Sequence, residues 1–443
     1  MFRKKTERSK EMTVAIYTLG CKVNIYESEY MEELLKNHGY TIVPFTDLAD
    51  IYIINTCSVT NESDRKSRKM IHQAKKRNEK AIIVVMGCYS QTHADEIEAD
   101  IIIGSQDKSK ILEYLEEYQE KNTPIKKLYP IRENSLFESM MIHHFENHTR
   151  AFVKIQDGCN AFCSYCIIPY ARGKARSKEF NQVVSEVCQL VESGYKEVVL
   201  TGIHTGRYGQ DLENMNLEKL LRRLIEIPNL YRLRLSSIEV NEVTEGILDL
   251  MKTSPIMARH LHIPLQSGCD RILKLMNRHY TVQEFMEKIT KIREIDPDIS
   301  ITTDLIVGFP GETEEDFQKT KATLTQIKFT KIHTFPYSSR EGTPASTMEN
   351  QVDGLVKKRR VKEILKLSDQ LEHAYYEKYL NKTLPGLSEK TKEGKVNVLT
   401  TNYIQVSVVE KVKNNTSVQV KITKIDEENK VFGEVIAQDE KES

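Results

Sequence analysis

Three strand-like apolar runs, each closed by a cysteine, dominate the N-terminal part of the chain: "TVAIYTLGC", "DIYIINTC" and "AIIVVMGC". The cysteines, Cys21, Cys57 and Cys88, stand 36 and 31 residues apart, about one strand–helix unit each. Helical patterns fill the intervals. In "YESEYMEELLKNHGY" Tyr30, Met31, Leu34 and Leu35 share one stripe that Gly39 can close, and a basic helical stretch runs from about Asn61 to Lys80. Strands that alternate with helices pair in parallel and are covered on both faces. Loops at the carboxyl ends of parallel strands share one edge of the sheet, so three cysteines distant in sequence are expected to meet there.

After a helix and a polar connection between about 111 and 148, the alternation resumes with "AFVKIQ", "EVVLTG", "YRLRLSS", "HLHIPLQ", "ISITTDLIVGFP" and "KIHTFPY". Such successive units predict an open or closed parallel barrel whose site lies at the C-terminal ends of its strands. Residues 356–380 read as one or two amphipathic helices with a basic start. Beyond Asn381, "NYIQVSVVE" and "SVQVKITKI" alternate apolar and polar residues, which predicts a small antiparallel β-barrel. The expected fold is therefore α/β: an N-terminal parallel α/β domain at 1–145, a partial (βα)6 barrel at 146–378 and a small C-terminal barrel at 379–443.

Lys and Arg balance Asp and Glu at 64 each over 443 residues, so any basic surface must be local. No apolar run approaches the roughly 20 residues that cross a bilayer, and no apolar signal segment precedes the first strand. A cytoplasmic location without membrane contact is expected. Eight cysteines in that setting argue against a disulfide framework and for metal binding or catalysis. Cys188 and Cys269, in helical contexts, read as small buried side chains.

The stretch "DGCNAFCSYC" packs Cys159, Cys163 and Cys166 together. Three thiolates leave a zinc site one ligand short, and no His or Cys in the next twenty residues supplies it. In a four-iron cluster they leave one iron open, as a catalytic metal requires. Polar or small residues at later strand ends, Gly202 in "LTGIHTGRYG", Ser236 and Glu239 in "LRLSSIE", Gln266 in "HIPLQSG" and Gly308 in "TTDLIVGFPGET", are candidate cofactor contacts or plain turns.

With the aromatic Tyr165 before its third cysteine, this motif resembles the signature of the radical S-adenosylmethionine superfamily. "TLGCKVNIYESE", "INTCSVTNESDRKSRK", "MGCYSQ", "DGCNAFCSYCIIPYARGKARS" and "HIPLQSG" together resemble the methylthiotransferases, over essentially the whole chain. The resemblance implies a methylthiotransferase domain, a radical domain and a C-terminal TRAM domain. It also implies two four-iron clusters, an auxiliary one on Cys21, Cys57 and Cys88 and a radical-generating one on Cys159, Cys163 and Cys166. S-adenosylmethionine is the implied cofactor, meeting Tyr165, Gly202, Ser236, Glu239, Gln266 and Gly308. The implied reaction inserts sulfur at an unactivated C–H bond and methylates it.

Three subfamilies share this pattern. The wording "LGCKVNIYESE" with "CSVTNESDRKSRK" resembles enzymes that act on N6-threonylcarbamoyladenosine, at position 37 in the anticodon loop of tRNA, more than those acting on isopentenyladenosine or on a ribosomal-protein aspartate. An electron donor of flavodoxin or ferredoxin type is implied as well. Arg65, Arg68, Lys69 and Lys76, with His72, share one face of the basic helix, and Arg172, Lys174 and Arg176 lie beside the second cysteine group. They are expected to track RNA phosphates, the alternative for the helix being a merely solvated face.

Overall fold

The computed structural model describes residues 12–131, 136–145, 148–390 and 396–438. Its first unit is a six-stranded sheet of β1 (Thr13–Thr18), β2 (Thr41–Ile42), β3 (Ile51–Thr56), β4 (Ile82–Gly87), β5 (Ile101–Ile103) and β6 (Ile125–Lys127), in the order β2-β1-β3-β4-β5-β6. Every pair is parallel. Alternate residues of the buried β3 feed opposite faces. Ile51 and Ile53 pack under Met31, Leu35, Ile111 and Leu115 of the helices Lys22–Asn37 and Ile111–Lys121. Tyr52 and Ile54 pack under Ile71 and Ala74 of the helix Asn61–Arg77. β5 and β6 have three residues each, too few to carry a pattern, which is why the sequence reading reaches only the strands that end in cysteine.

The second unit follows with β7 (Ala151–Asp157), β8 (Arg176–Ser177), β9 (Glu197–Gly202), β10 (Arg232–Leu235), β11 (His260–His262), β12 (Ser300–Val307) and β13 (Lys331–Pro336). β7, β9 and β10 pair in parallel, as do β11, β12 and β13, and a bridge from Ser237 to His262 joins the two groups. The result is the expected six-stranded partial barrel, with the short β8 added antiparallel to β7. The helix Lys22–Asn37 of the first unit packs against β7 and β9, and its Tyr26 belongs to the barrel's own core. The Tyr26 hydroxyl lies 2.7 Å from both the Glu186 carboxylate and the Met140 carbonyl.

One continuous helix, Gly354–Glu377, then runs along β13, where the Ile332 amide donates to Ser368 Oγ at 3.0 Å. It leads to a closed barrel of β14 (Thr383–Lys390), β15 (Val396–Thr400), β16 (Gln405–Val408), β17 (Ser417–Ile425) and β18 (Val431–Gln438), in the order β14-β15-β16-β18-β17. The sequence reading of an antiparallel barrel needs one correction, because β16 and β18 pair in parallel. Strand directions can alternate all the way round a closed ring only when the strand number is even, so five strands force one parallel seam. Tyr403 docks this barrel on the second unit. Its ring stacks on His260 at 4.2 Å, and the Arg234 guanidinium lies 4.6 Å from the ring centre. Among the described residues, no helix is long and apolar enough to cross a membrane.

Candidate active site

Cys57 and Cys88 directly follow β3 and β4, while Cys21 caps the helix Lys22–Asn37. Gly20 makes their approach possible. Its φ of +102° suits glycine, and a Cβ there would sit 2.8 Å from Cys57 Cβ and 2.9 Å from its Sγ. Asn24 ties the loop down through donations to the carbonyls of Leu19 (2.7 Å) and Thr56 (2.9 Å). The three thiols stand near enough to act on one another electrostatically. Burial, with a contribution from Cys88, pushes the Cys57 thiol up to about 12, and burial also raises Cys88.

The second triad sits on the loop after β7. Asp157 accepts from the Gly158 amide at 2.8 Å, and the Cys159 amide donates to the Gly173 carbonyl at 3.0 Å. A Cβ on Gly158 would fall 2.0 Å from the Lys174 carbonyl oxygen, so the two loops cross only with glycine there. Cys159, Cys163 and Cys166 again influence one another, and burial takes Cys166 up to about 12. Donors ring the sulfurs: the Ala161 amide is 3.4 Å from Cys159 Sγ, and Arg278 is 3.5 Å from Cys163 Sγ while paired with Glu239. Burial pulls the His204 imidazole down, but its contacts to Cys159 and Glu242 outweigh this and lift it to about 9.

Among the described residues, no three His, Cys, Asp or Glu side chains are drawn together tightly enough to hold a single metal ion. Each triad offers three soft sulfur donors, the ligand type that iron–sulfur clusters take. Buried charge fits the same group. Near Cys88, the cations Lys108, Lys154, Arg172 and Arg176 face the carboxylates Glu27 and Asp157, with Glu138 close by. The surplus is positive, and thiolates ligating a bound cluster would offset it.

Glu27 is the hub of that network. It is fully buried and takes Lys108, Lys154 (2.9 Å) and Arg172 (3.0 Å). Burial alone would raise its carboxyl, but Arg172, Lys108 and Lys154 outweigh burial and hold it well below the ordinary range. This overturns two expectations about RNA contacts. Arg172 and Arg176 are each 1 % exposed and are consumed by internal partners, Asp157 among them, so they cannot reach a phosphate. Lys174 between them is exposed, as are Arg65, Arg68, Lys69, His72 and Lys76 on the helix Asn61–Arg77.

A cleft of about 240 Å³ lies between the first two units. Val59 and Thr60, just past Cys57, form one wall; Tyr165, Cys166, Gln266, Asp304, Ile306, Phe335 and Tyr337 form the other. Glu239 instead lines a polar cavity of about 200 Å³ on the Cys163 side, with His204 and Arg278. Ser236 is buried with its hydroxyl lacking a partner, and Gly202 packs against Gln156 and Thr205. Gly308 has a φ of +71°, and the space a Cβ would take there is filled by the Lys357 side chain. Cys188 packs against the barrel core and Cys269 is buried with its Sγ 3.2 Å from Asp316, as read.

Sequence reasoning missed Asn24, Glu27, Lys108, Lys154, Asp157 and Arg340. Arg340 closes the far side of the cleft by pairing with Asp64 and donating to Asn61 Oδ1 (2.7 Å) and Ser58 Oγ (2.8 Å). For Asn24 and Asp157 the available signal was position, each lying within three residues of a triad cysteine; Glu27, Lys108, Lys154 and Arg340 carry no such signal.

Comparison with known proteins gives a consistent picture. Residues 13–106 match the "Uncharacterized protein family UPF0004" and residues 153–324 the "Radical SAM superfamily". The chain is 45% identical over 404 residues to the threonylcarbamoyladenosine tRNA methylthiotransferase MtaB of Bacillus subtilis, covering 89% of this chain and 90% of that protein. It is 42% identical to the Aquifex aeolicus protein of the same name, covering 89% and 96%. Identity to the tRNA-2-methylthio-N(6)-dimethylallyladenosine synthase of Clostridium tetani is 35%, covering 95% of each. In fold it resembles the radical S-adenosylmethionine methyltransferase TsrM of Kitasatospora setae, solved with cobalamin and a 4Fe-4S cluster, with a TM-score of 0.55, 13% identity and coverage of 76% and 74%.

Neutralising the hub has a defined cost. Glu27→Gln leaves Lys108 and Lys154 short of a carboxylate, so urea unfolding at neutral pH is expected to show a loss of about 3 kcal/mol. Because the folded carboxyl is depressed, its stabilisation is full above about 4.5 and is lost as pH falls below it. The gap between variant and wild type should therefore narrow in acid.

Proposed function

The chain belongs to the radical S-adenosylmethionine methylthiotransferases, and we propose that it converts N6-threonylcarbamoyladenosine at position 37 of tRNA to its 2-methylthio derivative. The observation that carries this reading is the cleft itself: residues that follow Cys57 and residues flanking Cys166 line the same 240 Å³ space. Cys166 lines the cavity itself and Val59 and Thr60, just past Cys57, form its other wall, which supports a reaction that draws on both triads at one substrate carbon. The choice among substrates is supported by the higher identity to threonylcarbamoyladenosine enzymes, 45% against 35% for the dimethylallyladenosine synthase.

Cys21, Cys57 and Cys88 would hold one four-iron cluster and Cys159, Cys163 and Cys166 the other. When bound, these and S-adenosylmethionine supply the sulfur, the methyl group and the hydrogen-abstracting radical. The chain's own residues shape the site. Tyr165 and Gln266 in the cleft and Glu239 in the polar cavity on the Cys163 side are the polar groups on hand to orient S-adenosylmethionine. Ile167, Ile168, Ile306 and Phe335 give the cleft an apolar lining that excludes water from the reacting carbon. Val59 and Phe335 are exposed at its wall and offer faces on which unstacked bases of a single-stranded loop can rest.

Outside the cleft, the exposed row Arg65, Arg68, Lys69, His72 and Lys76, with Lys174, would follow the phosphates of the anticodon stem. The TRAM-like C-terminal barrel would add a second RNA contact. The reductant would be of flavodoxin or ferredoxin type and the setting cytoplasmic, where such tRNA is found. The three units are taken as 1–145, 146–378 and 379–443.

Mass spectrometry of tRNA nucleosides from a strain lacking the gene should show loss of the methylthio derivative of threonylcarbamoyladenosine alone; an unchanged profile would redirect the assignment to a protein substrate. For the basic face, Lys69→Gln should weaken binding evenly across tRNAs and reduce the slope of log affinity against log salt by about 1. An unaltered slope would remove that face from the interface.

A further inference from the structure

Arg172 does more than fill a charge hole. Its Nε stands 3.3 Å from Cys88 Sγ, its Nη1 donates to Glu27 Oε1 and Asp157 Oδ1 at 3.0 Å each, and its Nη2 donates to Asn24 Oδ1 at 2.7 Å. Each partner belongs to the setting of a cysteine. Asn24 pins the loop that carries Cys21 to the end of β3, next to Cys57. Asp157 holds the Gly158 amide, and the carbonyl of Gly173, the residue after Arg172, receives the Cys159 amide. Among the described residues, Arg172 thereby touches one thiol of the first triad and, within one further contact, the loop of the second.

A guanidinium N–H aimed at a ligand sulfur favours added negative charge on the group that sulfur binds. Hydrogen bonds to the sulfurs, burial and net charge are the levers by which a protein sets the potential of an iron–sulfur cluster. Here all three act at one atom, because the N–H···S contact is buried and the local charge surplus is positive. The planar fork fixes the geometry in a way a lysine ammonium cannot.

We propose that Arg172 is a positioning residue that joins the two triads and, through Nε–H to Cys88, raises the reduction potential of the cluster held by Cys21, Cys57 and Cys88. The proposal rests on the assignment of those cysteines to a four-iron cluster. Arg172 acts through Cys88 and touches no substrate.

The test uses the full chain, reconstituted anaerobically, with Cys159, Cys163 and Cys166 replaced by Ala so that only the first triad binds iron. Redox titration followed by electron paramagnetic resonance gives the midpoint potential in this parent and in Arg172→Lys and Arg172→Met. Arg172→Lys keeps a cation against Glu27 and Asp157, beside Lys108, Lys154 and Arg176, so that variant is expected to fold even where Arg172→Met is destabilised. The expected result is full iron loading with the midpoint shifted to more negative potential in Arg172→Met and by a smaller amount in Arg172→Lys. A loaded variant with the parent's midpoint and spectrum overturns the proposal, and Arg172→Lys alone suffices if Arg172→Met does not fold. Loss of iron from both variants also overturns it, since the role would then be assembly and not tuning. A parent that binds no iron fails earlier and strikes the cluster assignment itself.

Discussion

The buried contact between Glu27 and Arg172 is the constraint on which the arrangement depends. Glu27 lies on the first helix of the N-terminal unit, and Arg172 ends the short helix Ile168–Arg172 that follows the second triad, 145 residues later. Ionised groups leave water at a cost of several kcal/mol each and are tolerated inside only with partners in good geometry. Here the partners come from both units: Lys108 from the first, Lys154, Asp157 and Arg176 from the second. Apolar contacts would let two surfaces slide with little penalty, whereas a network of this kind has one low-energy register. It ties the helix that begins at Cys21 to the helix that follows Cys166.

The cleft follows from that register. The partial barrel has six parallel strands, and the helix Lys22–Asn37 lies against its β7 and β9 side, with Tyr26 in the barrel core. Arg340, reaching back from the loop after β13 to Asp64, Asn61 and Ser58, ties the opposite side. Between the two ties, the loop after Cys57 faces the loop around Cys166 across the apolar cavity. The C-terminal barrel is anchored well away from this mouth, with Tyr403 seated on Arg234 and on His260 at the start of β11.

Much of this is legible in the amino-acid sequence. A cysteine placed after each of three apolar runs encodes convergence, because parallel strands bring their carboxyl ends to one edge. The three-cysteine loop after β7 encodes an open cluster, because its donors are soft and one short of four. The arginines were misread for a physical reason. "ARGKARSK" is the same string whether its side chains face solvent or a buried carboxylate, and the deciding partner, Glu27, sits in "YESEYMEELL", where an acidic residue passes for the wet face of an amphipathic helix. That Lys357 packs against Gly308 is not legible, because a turn glycine gives no sign of what approaches it. The parallel seam of the C-terminal barrel depends on strand count, which alternation alone does not deliver.

The central claim is that one chain holds two separate clusters on two cysteine triads that share a cleft. Iron and sulfide analysis with Mössbauer spectroscopy of the anaerobically reconstituted protein tests it most directly. The account predicts about eight irons per chain, all in four-iron clusters, falling to about four when Cys21, Cys57 and Cys88 are replaced by Ala, and again to about four when Cys159, Cys163 and Cys166 are replaced instead. Full iron retained after either replacement, or both triads emptied by one, would contradict it.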